Sequence, residues 1–145
     1  MPAQPIEVAR NQWGAILHHP DWHTLELKWF PSTRQMTDDD FKATLELYTS
    51  QGERLQPVTF GLIDATQFFH TFADNDALAW RDEHIIPRYN AMGVTRFAFH
   101  VPPGAPGTIE AGGQPAVEGR ADFPTAWFST RERAYQWLAD GDGRG

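Results

Sequence analysis

Apolar and polar residues alternate most clearly over His23–Phe30, where Leu25, Leu27 and Trp29 fall on one side and Thr24, Glu26 and Lys28 on the other. That period of two marks a strand with one face in the core and one in water. Trp13–His18 predicts a short strand before it and Pro20-Asp21 the turn between, so the two read as an antiparallel hairpin. After a loop over Pro31–Met36 the rhythm changes: Phe41, Leu45 and Tyr48 recur at i, i+4, i+7, one buried face of a helix. Thr37 stands where an N-cap belongs, followed by three acids in the first turn and a capping-box spacing to Asp40. Gly52 is the expected stop.

Pro57–Asp64 is a compact apolar run of the kind that forms a buried central strand in an α/β sheet. Ala65–Asp74 is its polar-aromatic exit loop. A helix follows from about Asp76 to Met92, capped by Asp74, Asn75 or Asp76. Leu78, Ile85, Tyr89 and Met92 share its inner face, and Trp80, His84 and Ala91 a neighbouring one. Pro87 should break or kink it, leaving the second half as a separate turn. Val94–Val101 is a further strand. Residues 102–122 are rich in Pro, Gly and Ala without periodicity, which fits a disordered or plain surface loop better than a functional lid. Thr125–Phe128 reads as a last strand, and Ser129-x-x-Glu132 as the capping box of a helix through Leu138, with Ala134, Trp137 and Leu138 inward.

The order ββαβαβα implies a single α/β domain over 13–140, preceded by a flexible N-terminus (1–12) and followed by a tail (141–145). Its sheet should be mixed, mainly parallel and five-stranded, with helices on both faces and one antiparallel edge strand.

Composition narrows the function. At 145 residues, 41% hydrophobic and 13% aromatic, the chain can bury a core without staples. A net charge of −7 disfavours general nucleic-acid binding, which needs surplus Lys and Arg. No stretch is long and apolar enough for a membrane span, and Met1–Pro5 has neither the basic start nor the apolar run of a signal peptide. The absence of cysteine excludes thiolate metal sites and cysteine nucleophiles. A cytoplasmic protein is expected, with no cofactor.

Four stretches together resemble the SpoIIAA-like proteins, a STAS-type family also compared with the lipid-binding CRAL-TRIO fold. They are Leu25-Glu26-Leu27 leading to Met36–Phe41; Phe60-Gly61-Leu62-Ile63-Asp64; Trp80 with Ile85-Ile86-Pro87-Arg88 and Gly93-Val94; and Thr125–Phe128 leading to Glu132-Arg133-Ala134 and Trp137-Leu138. The resemblance spans roughly Trp13–Leu138 and implies a STAS-like fold. Regulators of the anti-sigma antagonist type carry Asp-x-Ser after the central strand and a phosphorylatable Ser at the next helix start. Asp64-Ala65-Thr66 is similar to the first element. The second is missing, since Phe72–Asp76 holds no Ser, so the resemblance implies a module without that phospho-switch.

In open α/β sheets ligands sit beyond the carboxyl ends of the strands, where strand order reverses. Asp64, Thr66, Phe69 and His70 in the exit loop, Trp80 and His84 on the following helix, and His100 at a strand end are therefore the candidate ligand-binding residues. A plainer reading has Asp64 and Thr66 tying the turn while the Phe residues seal the core edge. His18, His19 and His23 match no zinc spacing and are expected in a solvated turn, so no metal is expected. The leading expectation is a STAS-like regulatory module that binds a small apolar ligand or a protein partner. The alternative is a small cofactor-independent enzyme that uses His70, His84 or His100 with Asp64 as acid and base on a hydrophobic substrate. Trp13, Trp22 and Trp29 on the hairpin are a candidate homodimer face.

Overall fold

The computed structural model describes residues 4–141. Three strands open the chain: β1 (Ile6–Arg10), β2 (Gly14–His19) and β3 (Thr24–Trp29). Helix α1 (Asp38–Arg54) leads to β4 (Phe60–Asp64). A broken second helix, α2 (Asp76–Trp80) and α3 (Ile86–Met92), leads to β5 (Arg96–His100). Two further strands, β6 (Ala116–Val117) and β7 (Pro124–Phe128), precede the final helix α4 (Arg131–Asp140).

The strands form one seven-stranded mixed sheet in the order β1-β2-β3-β4-β5-β7-β6. It is α/β as expected, but neither five-stranded nor mainly parallel: β3, β4, β5 and β7 pair in parallel, while β1-β2, β2-β3 and β6-β7 pair antiparallel. Both extra strands lie in segments expected to be irregular. β1 falls within the supposed flexible terminus 1–12, and β6 within 102–122; β6 has only two residues and β1 has no fully buried position to mark it, and each pairs along its neighbour's edge. Met1–Ala3 and the tail beyond Gly141 lie outside the described residues.

Alternation along each strand assigns the two faces. Leu25, Leu27, Trp29, Ile63 and Phe97 pack with Phe41, Leu45 and Tyr48 of α1 and Tyr89 of α3. On the opposite face, Phe60, Leu62, Ala98, Ala126 and Phe128 pack with Ala134 and Leu138 of α4. Helices therefore cover both faces, and this overturns the wet side expected for β3: Thr24 and Glu26 are fully buried. The parallel strands run across the sheet in chain order, with no reversal. The switch-point argument for a ligand beside Asp64 thus has no counterpart here.

Local chemistry explains the helices. Thr37 Oγ1 accepts from the Asp40 N–H while Asp40 accepts from the Thr37 N–H, the full capping box. Helix α1 passes through Gly52 to Arg54, so Gly52 is a packing residue rather than a stop: a Cβ there would lie 2.8 Å from Met92 Sδ. Between α2 and α3 the backbone widens into a π turn over Arg81–Ile85, in which the Ile86 N–H reaches the Arg81 carbonyl. Pro87 has no N–H to give the preceding turn, and this wider turn absorbs the defect, so the helix continues. At α4 the cap is Thr130, one residue beyond the expected Ser129. Arg88 ties α3 to α1 through Glu53 and Glu46.

Candidate functional site

The sheet face under α1 and α3 is not filled. A cavity of about 410 Å³ lies between it and the second helix. Its floor is sheet: Trp29, Ile63, Phe97, Phe99, Thr125 and Trp127, alternate residues of four neighbouring strands. Phe41 and Leu45 of α1 close one side; Leu78, Ile86 and Tyr89 of the second helix form the roof. Ala65, Phe68 and Phe72 from the exit loop and Ala121 and Phe123 from the later loop complete the wall. The rings interlock: Phe41 meets Phe72 edge-on with centroids 4.9 Å apart, and Phe99 stacks on Trp127 at 4.1 Å. Arg81, Asp82 and Glu118 are the charged groups on the wall. This volume lies within the roughly 300–1,000 Å³ of small-molecule pockets, and a mostly apolar wall, about half of it aromatic, with a few polar groups is their usual character.

Two hydrogen bonds hold the later loop over the cavity, Asn90 Nδ2 to the Arg120 carbonyl and the Asp122 N–H to Asn90 Oδ1, each 2.8 Å. Of the segment 102–122, expected as a disordered or plain surface loop, the end at Glu118 and Ala121 is thus part of the cavity wall, while most of the rest is exposed.

A second cluster occupies the other side of the sheet. Glu26 Oε1 receives His19 Nε2 at 2.9 Å and Arg131 Nη2 at 2.6 Å, and Tyr135 Oη donates to it at 3.3 Å. Burial opposes ionisation of Glu26, but the hydrogen bonds from His19 and Arg131 outweigh it and hold the carboxyl below its ordinary value. Burial and the neighbouring Glu26 charge push the Tyr135 phenol well up. His19 is itself buried, which corrects the solvated-turn expectation for that residue. Glu26 Oε2 has no hydrogen-bond partner among the described residues.

The candidate residues are dispersed over these surroundings. Asp64 Oδ1 accepts from the Thr66 N–H and hydroxyl at 3.1 and 2.7 Å, tying the turn as the plainer reading had it. Asp64 lies on the α4 side, with its other oxygen 3.7 Å from Arg131 Nη1. His100 stands opposite Asp64 in register, but its Nδ1 is 4.0 Å away, beyond direct proton transfer. His70 pairs instead with Asp38 at 2.7 Å, and Asp38 also receives the Ala73 N–H, so the exit loop is pinned to the start of α1. Phe69 is 39% exposed and turns outward beneath the Arg34 guanidinium. Trp80 and His84 lie beside each other on the second helix, His84 exposed and Trp80 half-buried against the core, with Lys42 of α1 6.0 Å from the indole. None of the seven borders the cavity; Phe68 and Phe72, their loop neighbours, do.

What the residue pattern missed is therefore the second face. Glu26 reads as a wet strand position until α4 is folded over it, and Arg131 is 105 residues away in the chain. Arg81 had a clearer signal, a cation one residue after Trp80 at the turn that Pro87 disturbs. Among the described residues no cluster could hold a metal ion, and no helix is long and apolar enough to cross a membrane. No family model, curated protein or solved structure matches the chain.

Proposed function

We propose that the protein is a STAS-like module that binds a small, largely apolar molecule in the aromatic cavity and works by binding rather than by chemistry. The cavity carries this reading: about 410 Å³ of space against the core, walled by residues of four strands, three helices and two loops. Protein interiors seldom leave such volume unfilled, because each unfilled site forfeits dispersion contacts. The order of the four family-like stretches along the chain supports the STAS-like assignment, and the missing serine points away from a phospho-switch.

Acid–base catalysis on a hydrophobic substrate has less support. Its best-placed pair, Asp64 and His100, is on the α4 side of the sheet, whereas Ile63 and Phe99 beside them face the cavity.

The test uses N-phenyl-1-naphthylamine, a neutral apolar fluorophore, with Trp29 and Trp127 as internal reporters. Saturable one-to-one binding should be lost when Ala121→Trp or Ala65→Phe fills the cavity in a chain with unchanged circular dichroism. Absence of saturable binding, or full binding in both folded variants, would rule the reading out.

A further inference from the structure

The polar part of the wall identifies the ligand's head group. We propose that the cavity takes an apolar monocarboxylate, with Arg81 as the residue that receives the carboxylate; this rests on the cavity being a binding site. Arg81 Nε is buried and has no hydrogen-bond partner among the described residues. The side chain as a whole is one third exposed, so the burial is at Nε, and Nη2 has one long contact, to Asp82 Oδ1 at 3.4 Å. A buried donor without an acceptor is costly, and a charged one more so, so a ligand acceptor at this point gains what the free protein lacks.

The widened turn explains why the guanidinium is there. Arg81 opens the π segment directly after α2, and its carbonyl serves the distant Ile86 N–H. The residue sits where the helix bulges over the cavity, between Leu78 and Ile86 on the wall.

The two acids decide which anion is accepted. Asp82 has 44% of its side chain in water, and Glu118 is exposed, so both stay hydrated and need no partner from a ligand. Their charges are nevertheless close to the head-group position. With Asp82 and Glu118 already facing the one cation, each further unit of ligand charge is repelled, so a monoanion held by Arg81 is tolerated better than a dianion. The selected head is a monoanion with two oxygens, matched to the guanidinium fork.

Competition against N-phenyl-1-naphthylamine with decanoate, 1-decanol, decylamine and decyl phosphate at pH 7.5 tests this. Decanoate should displace the probe at a concentration roughly tenfold or more below decanol, with decylamine and decyl phosphate weaker than decanoate. Arg81→Gln should weaken decanoate about tenfold more than it weakens decanol or the probe, so that the preference for the acid disappears. Arg81→Lys should keep part of the preference. Equal binding of decanoate and decanol by the native chain, a tighter amine or phosphate, or a preference that survives Arg81→Gln would overturn the proposal. Failure of the neutral probe and decanol to bind at all would instead reject the cavity as a site.

Discussion

Arg131 Nη2 lies 2.6 Å from Glu26 Oε1, so the first residue of α4 is bonded to the middle of β3 across the sheet. Glu26 is fully buried and Arg131 about one third exposed. The same guanidinium reaches toward Asp64 on β4, and Tyr135 one turn along α4 stacks edge-on against His19 and Trp22. The last helix is thereby located on the sheet by charge as well as by Ala134 and Leu138.

Glu26→Gln keeps the shape and removes the charge, leaving Arg131 partly buried with only the more distant Asp64 carboxylate, 3.7 Å away, to balance it. Breaking a fully buried pair costs about 3–5 kcal/mol; with Arg131 one third in water, about 2–3 kcal/mol is expected. Because the folded carboxyl ionises below its ordinary value, the native chain has this contribution in full above about pH 4.5 and loses it as pH falls through the lower folded value. Urea unfolding from pH 7 to pH 3 should show the variant less stable at pH 7 and less sensitive to acid. An unchanged acid profile would mean that Glu26 is not the group responsible.

Tyr48 offers a neutral counterpart. Its hydroxyl donates to the Leu25 carbonyl at 2.7 Å inside the core, and burial keeps the phenol protonated. Tyr48→Phe should lower stability by about 1 kcal/mol, the usual net value of one such bond. The urea midpoint should fall while the slope stays the same.

How legible this molecule is from its residues depends on distance along the chain. The Thr37–Asp40 box, the Phe41–Leu45–Tyr48 face and the buried β4 are local patterns, and all three form as read. Glu26 fails because burial is decided by whatever covers the other face, and alternation cannot distinguish water from α4. The cavity is legible in part. The aromatic exit loop is the right neighbourhood, but which ring points inward depends on a one-residue phase: Phe68 and Phe72 line the space, and Phe69 between them faces out.

Thr37→Ala should cost about 1 kcal/mol, since it removes the acceptor for the Asp40 N–H and the hydroxyl that donates to Asp40 Oδ2, while the backbone N–H of residue 37 keeps its bond to that carboxylate. Thr37→Ser should restore most of it. Thermal unfolding of the three chains side by side separates a lost cap from a general effect of shortening the side chain.

Gly61 links stability to the cavity. It pairs in register with Phe97, whose ring covers it, and a Cβ at Gly61 would collide with that ring. In a core packed on every side, such overfilling costs about 1–3 kcal/mol. Here Phe97 also borders open space, so the ring can yield into the cavity, and Gly61→Ala should stay near the lower end of that range. The displaced ring then takes volume from the ligand. Weaker binding of N-phenyl-1-naphthylamine with only a small drop in urea midpoint is the expected pair of results. A large loss of stability with unchanged binding would show that Phe97 holds its place and that strand pairing yields instead.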